Sequence, residues 1–165
     1  MKATKLYHIV WTTYNEYPVW DKRGNWQQLA ETYQLFKNKE IYHTLTHRLQ
    51  NEYSGGKTLS KVILDQDARE IIKASINELC TENKDRIISG AILKMLKITE
   101  TQVEIILLSN SDNISQIVAR IKSKSSSLLH NKRTDCFINN HLWGKGFWMA
   151  TFFDDLEQIM AMIKK

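Results

Sequence analysis

Residues 86–108 read RIISGAILKMLKITETQVEIILL, and this stretch decides the fold. Two runs rich in large apolar and β-branched residues, 86–96 and 102–108, are separated by the more polar segment 97–101. Runs of this kind predict two β-strands, and a short polar connection between them is typical of an antiparallel pair. The sequence therefore predicts a β-hairpin in the middle of the chain.

An amphipathic helix is predicted on each side of this hairpin, over residues 65–83 and 113–131. Asp65 is the predicted N-cap of the first helix, because its short carboxylate suits the unpaired amides of a first turn. Both segments carry apolar residues at i, i+3 and i+4 spacing, which predicts one buried stripe on each helix. The two stripes comprise Ala68, Ile71, Ile72, Ser75, Ile76 and Leu79, and Ile114, Ile117, Val118, Ile121, Ser125, Leu128 and Leu129.

Two outer strands are predicted at residues 5–13 (KLYHIVWTT) and 146–153 (GFWMATFF), and Asp154 would cap a last short helix. Residues 27–52 have a broken helical spacing and predict one or two inserted helices. The order of elements predicts an α+β, ferredoxin-like fold. Its four-stranded antiparallel sheet would carry helices on one face, with a helical insert near residues 27–52, in a single domain over 1–165.

The composition is that of an ordinary globular protein, with 42% hydrophobic and 25% charged residues among 165. A formal net charge of +5 favours an anionic partner such as nucleic acid, although it also keeps a protein in solution. The sequence has no apolar run long enough to span a membrane, and from its opening residues MKATKLYHIVW we expect no signal peptide. Two cysteines outside any CxxC pair suit a reducing compartment. We therefore expect a cytoplasmic protein without a membrane segment.

The second predicted helix and its flank are rich in cations and hydroxyl groups. Positive charges and short hydroxyls are what the phosphates of nucleic acid need, since the first release counterions and the second fix the register. A solvated helix face is the alternative explanation of the same pattern. The candidate phosphate contacts are Arg120, Lys122, Lys124, Lys132 and Arg133, with Lys22 and Arg23 in an earlier loop as secondary candidates.

Other possible sites are less specific. His43 and His47 lie four residues apart and would form a zinc-binding pair on a helix, or be two surface histidines. His8, in the first strand, is better explained as a packed or solvent-facing histidine than as a ligand. Asp65 and Asp67 fit helix capping better than paired catalytic carboxylates. The GxSxG, Walker A and GxGxxG motifs do not occur in the sequence.

Five segments in order along the chain carry a resemblance to one family. They are KLYHIVWTTY (5–14), WDKRGNW (20–26), VEIILL (103–108), ARIKSKSSSLL (119–129) and LWGKGFWMATF (142–152). They resemble the opening strand, a loop element, the histidine-bearing strand, a lysine- and serine-rich helix and a late strand of IS200-like transposases. The similarity is strongest to relatives associated with repeated palindromic elements, and it extends over nearly the whole chain.

The resemblance implies a specific chemistry that this chain does not retain. In the family, two histidines one residue apart on a strand hold a divalent metal, and a tyrosine on the last helix attacks the DNA phosphate. The histidine positions correspond here to Gln102 and Glu104, and the tyrosine position to Met162. Glutamine is a poor ligand and a thioether is no nucleophile, whereas Glu104 still offers oxygen to Mg²⁺ or Mn²⁺.

The resemblance therefore implies a DNA-binding protein without catalytic residues or a required cofactor. We expect a homodimer that binds single-stranded or hairpin DNA and does not cleave it. One alternative is an active, metal-dependent transposase or nicking enzyme rearranged around Glu104, with Tyr7, Tyr14, Tyr53 or a tyrosine from a partner chain as its nucleophile. Another is a protein-interaction domain that has no role in nucleic-acid binding, for which the many aromatic residues would form the interface.

Overall fold

Five antiparallel strands form one sheet in the computed structural model, which describes residues 5–16, 39–43, 60–82, 91–110, 113–152 and 157. The order of the strands in the sheet is β2-β5-β1-β4-β3, and each neighbouring pair is antiparallel. Their bounds are β1 Lys5–Thr12, β2 Lys39–His43, β3 Ala91–Ile98, β4 Gln102–Ser109 and β5 Trp148–Phe152.

Two long helices lie between these strands in the described residues, α1 (Gln66–Asn77) and α2 (Ile114–Lys132). A π-helical turn, Glu78–Glu82, extends α1, and a 3₁₀ turn, Thr134–Cys136, follows α2. The order β1-α1-β3-β4-α2-β5 is the ferredoxin-like βαββαβ arrangement, so the predicted fold class is confirmed. In the described part of the chain, neither helix is long and apolar enough to cross a bilayer.

The first helix begins as the sequence predicts. The Asp65 side chain accepts a hydrogen bond from the backbone N–H of Ala68 at 2.9 Å, which satisfies one of the unpaired amides of the first turn. Ala68, Ile72 and Ile76 are fully buried. Because α1 and α2 pack against each other as well as on the sheet, both predicted apolar stripes are used in one core.

A β-bulge in β3 resolves a break in its alternating pattern. Leu93, Leu96 and Ile98 all pack on the helix-facing core, although the first two are three residues apart. The register with β4 shifts between Leu93 and Met95, so that the exposed Lys94 is the extra residue. The bulge returns Leu96 to the core face, which a regular strand would not do.

Both faces of the central strands are buried. On the face of the sheet that packs against α1 and α2, alternate residues of β1 and β4 form the main core. The residues between them point to the opposite face, where they form a second buried layer. The helix-facing set includes Tyr7, Ile9, Trp11, Val103, Ile105 and Leu107; the second layer includes Leu6, His8, Val10, Ile106, Trp148 and Ala150.

The predicted helical insert near residues 27–52 is wrong where the structure describes it, because Lys39–His43 forms strand β2. This segment pairs with β5 from Lys39 opposite Phe152 to His43 opposite Trp148. Ile41 and Tyr42 have the branched and aromatic side chains that favour strands, and pairing satisfies the outer backbone groups of β5. The sheet consequently has five described strands rather than four.

Candidate functional site

The positions that correspond to the family's two histidines lie on the sheet face turned away from α1 and α2. Gln102 is paired with Thr12 of β1, and Glu104 with Val10, so both project from the same side of β4. The Nε2 atom of His8 lies 2.7 Å from the Oε1 atom of Glu104. The predicted common face of Gln102 and Glu104 is therefore present, and it holds a histidine from β1 instead of one from β4.

The pair formed by His8 and Glu104 is a charge-assisted contact inside the fold. Burial raises the pKa of Glu104, but the hydrogen bond from His8 and the charges of His8 and Lys97 outweigh it and bring the pKa below its ordinary value. Since the carboxylate is ionised near neutral pH, His8 Nε2 carries the proton and donates it. His8 is only 1% exposed, so of the two predicted explanations, a packed or a solvent-facing histidine, the packed one is correct.

These residues do not fit the family's metal. Glu104 gives an oxygen to His8, and Gln102 offers only an amide. Among the residues the structure describes, no cluster of three or more histidine, cysteine, aspartate or glutamate side chains is arranged to hold an ion. Glu104 remains a possible single ligand, and a single carboxylate does not make a divalent-metal centre.

The replacement nucleophiles do not reach this face within the described residues. Tyr7 is buried on the helix-facing side of β1, opposite to the side that carries His8 and Glu104. Tyr14 follows the strand and stacks on His141, with ring centroids 4.7 Å apart. Tyr53 and Met162 lie outside the described residues.

Lys122, predicted to contact phosphate, is instead bonded to the backbone of the loop before β5. Its ammonium donates hydrogen bonds to the carbonyl oxygens of Gly144 at 2.7 Å and Gly146 at 3.1 Å. Burial lowers the pKa of Lys122 to about 8. We refer to Lys122, Gly144 and Gly146 as the lysine clamp, because the side chain fastens the loop before β5 to α2.

The rest of the same loop is fixed to α2 and β1. The indole N–H of Trp143 lies within hydrogen-bond distance of the Lys122 carbonyl (3.1 Å) and the Ser125 hydroxyl (3.2 Å). Gly144 donates its backbone N–H to the Thr12 carbonyl at 2.9 Å. A β-carbon at Gly144 would lie 3.2 Å from the Thr13 carbonyl oxygen, which explains the glycine. The segments ARIKSKSSSLL and LWGKGF therefore form one structural unit.

Arg133 is also engaged within the fold. Its guanidinium contacts Asp65 at 2.7 Å, Asp67 at 3.2 Å and Asp135 at 2.8 Å. The hydrogen bond from Arg133, with the backbone amide of Ala68, lowers the pKa of Asp65 to about 2. Arg133 therefore ties the end of α2 to the start of α1, and Asp65 both caps α1 and holds this arginine.

The remaining basic candidates on α2 are exposed. Arg120, Lys124 and Lys132 are exposed residues of the helix. The secondary candidates Lys22 and Arg23 lie outside the described residues. Of the five cations predicted to contact phosphate, Lys124 and Lys132 are exposed at the surface of the helix, whereas Lys122 and Arg133 stabilise the structure.

A polar groove runs along the exposed side of α2 and has a volume of about 290 Å³. We call it the α2 groove. One wall is the helix, and the other is the chain that follows it, with Phe137 set edge-on to His130 at 5.1 Å between ring centroids. None of the described residues that line the groove carries a carboxylate. Its lining residues are Ser123, Ser126, Ser127, His130, Asn131, Phe137 and Asn140.

A tight turn positions the far wall of the α2 groove. Ile138 and His141 exchange two backbone hydrogen bonds, at 3.1 and 2.9 Å, around Asn139 and Asn140. Both asparagines have positive φ, 50° and 61°, as a type I′ hairpin turn requires. This turn is not among the predictions from the sequence, although the Asn-Asn dipeptide is a usable signal for it, and nothing in the sequence pattern indicates Phe137 as a groove residue.

The predicted zinc-binding pair of His43 and His47 requires both histidines to lie on one helix, and His43 does not lie on a helix. His43 is the last residue of strand β2, opposite Trp148, and His47 lies outside the described residues. The i, i+4 geometry of a helix cannot therefore be assumed for them.

The chain is an α+β protein with a βαββαβ domain and a lysine- and serine-rich second helix. The comparisons with known proteins identify its family. A family model described as "Transposase IS200 like" matches residues 57–164, more than half of the chain. The chain therefore belongs to the IS200-like transposase family, as the sequence motifs predict. Membership of a transposase family implies an interaction with DNA.

A crystal structure of a protein from Deinococcus radiodurans R1, provisionally named a transposase, is similar with a TM-score of 0.49 and 15% sequence identity. The likeness covers 99% of this chain and 88% of that chain. No curated protein matches the chain.

Proposed function

We propose that this protein binds single-stranded or hairpin DNA, as a homodimer, and does not cleave it. The observation that carries the proposal is the 2.7 Å hydrogen bond between His8 and Glu104. A family member that cuts DNA needs two metal ligands at positions 102 and 104, and here one is an amide and the other is bonded to a buried histidine. No cofactor is required for binding alone.

The exposed face of α2 supports the DNA-binding half of the proposal. Arg120, Lys124 and Lys132 place three positive charges along this helix, and serine hydroxyls lie between them. Cations of this kind bind phosphates by releasing counterions, and hydroxyls hold the register of the backbone. Lys122 contributes indirectly, because the lysine clamp holds the helix against the loop before β5.

A titration of DNA hairpins at two salt concentrations tests this proposal. We expect wild-type affinity to fall steeply as salt rises, and the double variant Lys124→Gln/Lys132→Gln to bind more weakly. The slope of log affinity against log salt should become shallower by about two, at about one per phosphate contact. The double variant Lys73→Gln/Lys94→Gln removes the same charge from α1 and β3 and serves as the control. Equal affinities of all three proteins at both salt concentrations would contradict the proposal.

One observation favours a second candidate function, a metal-dependent nuclease. The Glu104 carboxylate lies at one of the two family metal positions and offers an oxygen ligand to Mn²⁺, whereas His8, which donates its Nε2 proton to this carboxylate, is not a second ligand. If this function holds, hairpin DNA should be nicked in the presence of Mn²⁺, and the variant Glu104→Ala should lose the activity. Intact DNA with the wild-type protein would exclude this function under those conditions.

A further inference from the structure

We infer that the α2 groove holds one unpaired nucleotide of the bound DNA, with its base against Phe137 and His130 and its phosphate near Ser123 and Ser127. This inference rests on the proposed function and specifies which part of the DNA the domain recognises. It follows from the chemistry of the groove, its size, its polarity and the rigidity of its far wall.

The chemistry of the groove suits a planar ligand with a negative charge. Phe137, which is half-buried, and His130, which is exposed, provide two aromatic rings set edge-on at 5.1 Å, and aromatic rings at a surface are stacking platforms for bases. Asn131 and Asn140 provide amide donors and acceptors, which are the groups that read the edge of a base. Because no lining residue carries a carboxylate, nothing in the lining repels a phosphate.

The size of the groove favours a single nucleotide over a duplex. Its volume of about 290 Å³ is at the lower end of small-molecule pockets, which begin at about 300 Å³. Ser123 and Asn131 are eight positions apart on α2, which corresponds to a length of about 12 Å. A paired base shows only its edge, whereas an unpaired base exposes the ring faces that Phe137 and His130 require.

The polarity of the helix sets the orientation of the nucleotide. The carboxyl-terminal end of α2 carries the negative end of the helix dipole, and Lys132 at that end does not line the groove, so the Asn131 side of the groove is the less favourable place for a phosphate. Ser123 and Ser127 lie further from that end, and the exposed Lys124 is three residues before Ser127 on the same side of the helix. The phosphate therefore belongs at the Ser123 side and the base at the Phe137 side.

The far wall of the groove is held in place before any ligand binds. The type I′ turn at Asn139 and Asn140 is closed by two backbone hydrogen bonds. His141, directly after the turn, stacks on Tyr14 at 4.7 Å, which anchors the turn to the end of β1. A wall fixed in this way loses little conformational entropy when a nucleotide enters.

Two matched DNA hairpins test the inference. Both carry the same short single-stranded overhang, but in one of them every overhang nucleotide is abasic, so that the phosphates remain and the bases are missing. We expect the wild-type protein to prefer the base-bearing hairpin by about tenfold, the effect of one stacked base. Phe137→Leu, which keeps an apolar side chain against the core, should lose this preference, and so should Asn131→Ala, whose side chain is exposed.

Gln116→Ala is the control, because Gln116 is exposed on α2 about two turns before Ser123 and does not line the groove. It should keep the wild-type preference. The inference is overturned if the wild-type protein binds both hairpins equally, or if both groove variants keep the preference. If the wild-type protein binds neither hairpin, the proposed function itself fails, and the inference fails with it.

Discussion

The face of β4 that carries Glu104 and the face of α2 that carries Lys124 use their polar groups in opposite ways. On β4, the carboxylate is bonded to His8, which is buried, and the fold itself satisfies the site. On α2, hydroxyls, amides and cations line a groove or face solvent. A polar group that the protein satisfies internally contributes to stability, whereas one left at a surface is available to a ligand. The comparison separates the site where we propose that cleavage chemistry is lost from the surface that we propose binds DNA.

The largest expected effect concerns the lysine clamp. Lys122→Met removes two charge-assisted hydrogen bonds to the carbonyls of Gly144 and Gly146, and we expect the free energy of unfolding to fall by about 3 kcal/mol. Lys124→Met, two residues away and exposed, should change it by less than about 0.5 kcal/mol. Urea unfolding of the two variants measures the difference. Equal stabilities would mean that Lys122 does not have the structural role assigned to it here.

The second effect concerns the β4 face. Glu104→Ala leaves the buried imidazole of His8 without this acceptor, and we expect the free energy of unfolding to fall by about 2 kcal/mol. Glu104→Gln keeps an acceptor oxygen and should cost less. Urea unfolding of both variants beside the wild-type protein gives the comparison. If Glu104→Ala is as stable as the wild-type protein, the hydrogen bond is not a stabilising element, and Glu104 is better explained as a functional residue.

A smaller effect is expected in the loop that the lysine clamp holds. Gly146 has a φ of 81°, a left-handed conformation that costs other residues energy. Gly146→Ala should lower the free energy of unfolding by about 1 kcal/mol. Lys145→Ala, at the exposed neighbouring position, is the control and should have little effect. A Gly146→Ala variant with wild-type thermal stability would show that the loop relaxes readily around the clamp.

The smallest effect is a change in acid stability at the start of α1. Since the pKa of Asp65 is lowered from 3.8 to about 2 in the folded protein, its contribution is present above pH 3.8 and is lost as the pH falls towards 2. Asp65→Asn keeps the helix cap but removes the charge that pairs with Arg133, so stability should depend less on pH in this range. Glu70→Gln, also exposed on α1, is the control. Identical acid unfolding curves would contradict the assignment.

Elements with a strong periodic pattern could be predicted from the sequence. Both helices, the β3–β4 hairpin and the Asp65 cap follow from local spacing, because each depends on residues close together in the chain. Strand β2 could not be predicted, since five residues carry too short a pattern and the pairing with β5 joins segments more than a hundred residues apart. Pairing with a distant strand decided the structure there, rather than local propensity.

The candidate site could be predicted only in part for the same reason. The sequence shows that Lys122 is a cation on a helix, but not that two glycine carbonyls more than twenty residues later accept its hydrogen bonds. It shows Glu104 on the strand face, but not that His8 from β1 reaches it across the sheet. Residue types indicate which chemistry is possible, and long-range contacts determine which groups remain free to perform it.

The most direct test of binding without cleavage follows the fate of the DNA in the bound complex. A hairpin labelled at both ends is saturated with the wild-type protein in the presence of Mg²⁺, and separately of Mn²⁺. Each sample is then divided between a native gel and a denaturing gel. We predict a retarded complex on the native gel and full-length DNA on the denaturing gel. Cleaved fragments, or a DNA–protein adduct that survives denaturation, would contradict the central claim.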